Sequence, residues 1–136
     1  MSEHLFALLI HDHPEPFESL RRTLRELSIE TYSVPTCREA GDLISQCKPH
    51  LIFTESSLPD GWWSSILNIA DLANVPLSVI VVSNYPDTRL YLSVMERGAF
   101  DFVTPPFEHE SLNMVIRSAA LNTYHRRKAM AQLAAS

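Results

Sequence analysis

Cysteine is scarce in this sequence, basic residues are outnumbered, and long apolar runs are missing. Each shortage removes a class of protein. The two cysteines, Cys37 and Cys47, stand ten residues apart in a segment that reads as helical, which would separate them by about 15 Å along the axis. A disulfide between them is excluded on that geometry. Both read as small, partly buried hydrophobes in a reducing cytosol, not as redox or catalytic groups. Eleven Lys and Arg against sixteen Asp and Glu give a net charge of −5, with a pI near 5.6. Non-specific nucleic-acid affinity needs clustered Lys and Arg, so nucleic acid is not an expected partner. The basic run Arg126-Arg127-Lys128 reads as a solvated helix face near the chain end.

No apolar stretch approaches the roughly 20 residues that cross a bilayer as a helix, so no membrane contact is expected. The apolar run within Met1 to Ile10 follows Glu3 in place of a basic segment, and no small-residue cleavage site comes after it. These features predict a cytoplasmic chain without a signal peptide. Internal repeats and low-complexity segments are absent, and 136 residues leave no room for a second folded domain.

What is present is a repeating alternation of strand and helix signals. Leu5 to Ile10 is a continuous apolar run, as in a parallel strand covered on both faces. Phe17, Leu20, Leu24 and Leu27 then recur at helical spacing among Arg21, Arg22, Arg25 and Glu26, one apolar stripe on a helix. Ile29 to Val34 alternates like a half-exposed strand, Pro35 ends it, and Cys37, Ala40, Leu43, Ile44 and Cys47 repeat the helical stripe. Leu51-Ile52-Phe53 is a short buried strand. Pro59-Asp60-Gly61 is a turn leading into a helix from about Trp62 to Ala73. Leu77 to Val82 is strand-like, Asp87 to Arg97 reads as a helix closed by Gly98, and Phe100 to Thr104 is a fifth strand before a helix from about His109.

Five strands alternating with five helices predict an α/β fold, a doubly wound five-stranded parallel sheet covered on both faces. The last helix is longer than the domain requires. Residues 1–121 are read as the domain and 122–136 as a C-terminal helical extension, either a frayed terminus or an interaction or dimerisation helix.

Ligands of open parallel sheets bind beyond the carboxyl ends of the strands. At that edge stand His11-Asp12, Glu55, Ser83-Asn84 and Pro105-Pro106. These residues, the segment from Pro49 to Gly61 and the segment from Gly98 to Phe107 closely resemble the receiver domain of two-component response regulators over about residues 5 to 121. The resemblance implies strand order 2-1-3-4-5, a magnesium-binding acidic pair after the first strand and a phosphoryl-accepting aspartate after the third. It also implies a hydroxyl after the fourth strand, a lysine after the fifth, and an aromatic residue that follows the switch.

Carried over by position, the acidic pair falls on His11 and Asp12, the acceptor on Glu55, the hydroxyl on Ser83, the aromatic on Phe102 and the lysine on Pro105. Three of these five depart from the pattern. Imidazole in place of a carboxylate weakens a site for a hard cation, so no cofactor is expected beyond weak magnesium binding. Glu55 carries one extra methylene, about 1.5 Å of reach. Misplacement near 1 Å can cost in-line attack about a hundredfold. Pro105 offers no donor in place of a charged one.

The expectation is a non-enzymatic pseudo-receiver in phosphorelay signalling. It would work through contacts with a histidine kinase or downstream effector, with Leu90, Tyr91, Val94 and Met95 as the partner surface and a homodimer as a further option. The alternative is a phosphoacceptor using Asp12 or an unusual donor. Glu55 could reach the Ser83 hydroxyl and mimic the switched state, or sit in an inactive pocket. His11-x-His13 is a weak metal motif without further ligands. One of Trp62 and Trp63 is expected in the core and the other exposed, and a cis peptide is expected before Pro106.

Overall fold

The structure is a computed structural model that describes residues 4–136. The apolar runs become strands and the striped segments become helices in the expected alternation. In chain order these are β1 (Phe6–Ile10), α1 (Phe17–Glu26), β2 (Glu30–Val34), α2 (Cys37–Cys47), β3 (Leu51–Glu55), β4 (Ser57–Leu58) and β5 (Gly61–Trp62). They continue with α3 (Trp63–Asp71), β6 (Ser78–Val82), α4 (Thr88–Arg97), β7 (Asp101–Val103) and α5 (His109–Ala135).

The main sheet is parallel throughout, in the order β2-β1-β3-β6-β7. Apart from the short hairpin that takes the labels β4 and β5, this is the expected order 2-1-3-4-5. Burial explains the hydropathy of each strand. β3 and β6 lie inside the sheet and every residue of both is buried, whereas β2 lies at an edge and alternates exposed with half-buried positions up to its buried last residue, Val34.

Successive strand residues face opposite sides, and the core divides accordingly. Leu8, Ile10, Ile52, Val79 and Val81 pack with Ala40, Ile44, Ile66, Leu67 and Val94 from α2, α3 and α4. Ala7, Leu9, Leu51, Phe53, Ile80 and Val82 pack with Phe17, Leu20, Leu24, Leu112, Ile116 and Ala119 from α1 and α5. Helices therefore cover both faces. Trp63 packs against the first cluster, and Trp62 is 62% exposed, the division expected of the pair.

Caps set the helix ends. Thr36 accepts from the Glu39 N–H, and Asp87 accepts from the Leu90 N–H. Such side chains satisfy donors that the first turn leaves without partners. Gly98 closes α4 at φ 108°, a conformation glycine adopts without a Cβ penalty.

The β4–β5 hairpin stands where the sequence predicts only a turn. Asp60 at its tip accepts from the backbone N–H groups of Cys37 at 2.7 Å and Arg38 at 3.1 Å, tying the hairpin to the start of α2. Gly61 permits this approach. A Cβ there would stand 2.8 Å from Ser65 Oγ and 2.9 Å from Cys37 Sγ.

The two cysteines end at opposite ends of α2 as free thiols, Cys37 buried and Cys47 exposed. Partial burial was expected for both, and Cys47 departs from it. Helix α5 runs without interruption through the division drawn at residue 121. Thr123 is fully buried and its hydroxyl donates to the His50 carbonyl at 2.8 Å, while Asn122 donates to Ser78 Oγ at 3.0 Å. The basic run is the expected solvated face only in part: Arg126 and Lys128 are exposed, but two of the three side chains bind backbone carbonyls. Half-buried Arg127 donates to the carbonyls of Pro76, Lys48 and Pro49, and Arg126 donates to that of Leu77. Among the described residues no helix is long and apolar enough to cross a membrane.

Candidate functional site

The carboxyl ends of β1, β3, β6 and β7 bring the residues singled out by position to one edge of the sheet. In β3, Leu51, Phe53 and Glu55 share a side of the strand. Leu51 and Phe53 enter the cluster beneath α1 and α5, so the pleat turns Glu55 toward the loop between β1 and α1. Its side chain is 10% exposed. Glu55 Oε1 accepts the Asp12 N–H at 2.5 Å and the His13 N–H at 3.3 Å. Oε2 lies 3.1 Å from His13 Nδ1. A carboxylate only accepts, so His13 carries its proton on Nδ1 in this contact.

His11 occupies the first position of the expected acidic pair and faces away from Glu55. Its ring stacks on Phe17 with centroids 4.2 Å apart and planes 5° from parallel. Nδ1 donates to the His13 carbonyl at 2.7 Å. Nε2 lies 3.2 Å from Ser33 Oγ and 3.5 Å from an Arg21 nitrogen. Arg21 can only donate, and it also bonds Ser33 Oγ, so the Nδ1–H tautomer of His11 satisfies every partner. His11 is thus committed to β2, α1 and the loop between β1 and α1.

Ser83 is buried, with its hydroxyl donating to the Tyr85 carbonyl at 2.9 Å and accepting from the Tyr85 N–H at 3.4 Å. The reach from Glu55 to Ser83 considered from sequence is not what the bonds show. Glu55 serves the β1–α1 loop, and Ser83 serves its own loop. Phe102 is half-buried, packs against the cluster under α3 and α4, and meets Tyr91 edge-on at 5.8 Å. Pro105 is half-buried and joined to Pro106 by the cis peptide expected there.

The donor set at this edge does not fit magnesium. Both Glu55 oxygens accept N–H bonds, the His11 ring is engaged elsewhere, and Asp12 is the exposed carboxylate left over. A hard cation needs several oxygen ligands converging on one point. Among the described residues no three His, Cys, Asp or Glu side chains group to hold a metal, and His11 and His13 do not converge.

On the neighbouring face, Tyr91 is 42% exposed, whereas Leu90 and Met95 are half-buried. Val94 belongs to the core at 0% exposure, so it leaves the expected partner surface. Leu92, which the sequence reading leaves out, is 53% exposed. The apolar pattern of α4 marks which residues are large and greasy but not which of them the sheet covers.

Comparison with known proteins agrees with this architecture. Residues 7–117 match the response regulator receiver domain family. The response regulator protein PilR of Pseudomonas aeruginosa is 26% identical over 113 residues, 83% of this chain and 25% of that protein. The chain spans about a quarter of the length of the curated relatives it matches. The crystal structure of NtrX from Brucella abortus superposes with a TM-score of 0.82 at 20% identity, over 96% of this chain and 30% of that one. The solution structure of the beryllofluoride-activated NtrC4 receiver domain dimer gives 0.78 at 22% identity, over 87% and 98%. At these identities the two structures speak to the fold.

Proposed function

The chain belongs to the response regulator receiver domain family, and from that premise we propose that it signals through protein contacts without accepting a phosphoryl group at Glu55. Receiver domains of this family serve two-component signalling, and this chain is one of them. The finer reading rests chiefly on one observation, that both oxygens of the Glu55 carboxylate are engaged by Asp12 and His13.

An attacking oxygen must be free, in line and about 3 to 3.5 Å from phosphorus. Three N–H contacts draw charge from the Glu55 carboxylate and fix its orientation, so either oxygen is a weaker and less freely aimed nucleophile. The developing charge would then find a proline at position 105 and an imidazole turned toward β2 at position 11, where a cation and a metal-binding carboxylate would otherwise reduce the barrier. These effects act in the same direction.

In this reading the module is cytoplasmic, is not an enzyme and uses no cofactor. The partner is a histidine kinase or a downstream effector, or a second copy of the chain, as in the NtrC4 receiver dimer. Leu90, Tyr91 and Met95 on α4, with Phe102 beneath them, form the contact face.

Intact mass after incubation with acetyl phosphate or phosphoramidate and magnesium tests the proposal. The wild type should keep its mass, and a His11→Asp/Glu55→Asp/Pro105→Lys variant should gain one phosphoryl group. A stoichiometric phosphoryl adduct mapped to wild-type Glu55 overturns it.

A further inference from the structure

The β1–α1 loop is closed by bonds internal to the chain. We infer that Glu55 and His13 form a latch that takes the place of a divalent cation, so that this edge of the receiver is held shut in the metal-free protein. A shorter Asp at position 55 would withdraw the carboxylate by about 1.5 Å, moving the 2.5 Å contact to the Asp12 N–H and the 3.1 Å contact to His13 Nδ1 beyond hydrogen-bonding distance. The extra methylene that misplaces Glu55 for phosphoryl chemistry is what lets it span to the loop.

The loop is grasped from two sides. The His13 N–H and ring face Glu55, while the His13 carbonyl accepts from His11 Nδ1 at 2.7 Å. His11 is itself fixed by stacking on Phe17. The substitution of His for a carboxylate at position 11 therefore turns a metal ligand into a second clasp for the same loop. His13 is 71% exposed and Glu55 10%, so solvent weakens any ion pairing between them. The greater contribution comes from the charge-assisted Asp12 N–H bond to a buried carboxylate.

Competition follows directly. A cation drawn to Glu55 would compete with these three N–H groups for the charge and orientation of one carboxylate, and the latch would have to loosen to bring further oxygen ligands around it. The inference concerns the same pocket as the proposed function but not its phosphoryl chemistry. A phosphoryl adduct would overturn that reading, and metal titration decides this one.

The test uses the full ¹⁵N-labelled chain, with Mn²⁺ as the probe and amide exchange as a second readout. In the wild type, Mn²⁺ should not selectively broaden the Asp12, His13 and Glu55 amide signals at concentrations that broaden them in a His11→Asp/Glu55→Asp variant. The Asp12 amide should be protected. Its exchange should accelerate about tenfold or more in Glu55→Asp and roughly threefold or more in His13→Ala. The His13 side chain is largely exposed, so this second variant keeps the fold and the test valid. Selective broadening of those wild-type signals, or an Asp12 amide that exchanges equally fast in wild type and variants, overturns the latch.

Discussion

Asp60 shows how much one side chain can organise. The Cys37 N–H, and after it the Arg38 N–H, stabilise its charge and hold its carboxyl below the usual carboxylate range, although burial opposes the shift. The same contact works in reverse on Cys37, whose thiol is pushed up to about 11 by burial first and by the neighbouring Asp60 charge second. A thiol raised that far is a packing group at neutral pH. For a carboxyl depressed in the folded state, the linked stability is fully present above its unfolded value, about 3.9, and disappears as pH falls through the lower folded value. Asp60→Asn should therefore be less stable than wild type at pH 7, and the gap should narrow below about pH 4. Urea unfolding at a series of pH values measures this, and a gap that widens in acid would contradict the assignment.

At the scale of elements, α5 is the informative case. Its 27 residues form one helix because no proline or glycine interrupts them, and Glu108 caps its start by accepting from the Glu110 and Ser111 N–H groups. Sequence periodicity showed its apolar stripe and its excess length. It did not show that the stripe is followed by a polar docking surface, where Thr123 and Arg127 meet carbonyls at the amino-terminal ends of β3 and β6. Those partners lie 51 to 79 residues away in sequence, beyond any local pattern. Arg127→Ala should cost about 1 to 3 kcal/mol, because it leaves half-buried carbonyls without a charged donor. Lys128→Ala, one residue on and exposed, should stay within about 0.5 kcal/mol. Equal losses in denaturant unfolding would mean that the end of α5 is not docked. The β4–β5 hairpin escaped sequence reading for a different reason: strands of two residues carry no periodicity.

At the scale of the whole molecule, the two core clusters are the two faces of one sheet, and α5 is packed into one of them while Trp63 reports on the other. Neither layer can separate without exposing the apolar residues of buried strands. Loss of helix followed by circular dichroism and the change in Trp fluorescence should therefore coincide in one transition. A helical loss that precedes the fluorescence change by several degrees would show α5 unfolding on its own.

Sequence by itself determined the alternation of elements, the parallel character of the sheet and the positions along its edge where a receiver keeps its chemistry, because hydrophobic period and strand-end location are local properties. It also identified the departures at His11, Glu55 and Pro105 by residue type alone. Tertiary structure decided the direction in which each departure acts. The His11 ring turns to Ser33 and Arg21 on neighbouring elements, Glu55 reaches back 43 residues to Asp12, and Val94 disappears beneath its own helix. Whether a carboxylate is free to react or already engaged depends on donors brought beside it by the fold, and those donors are distant in the chain.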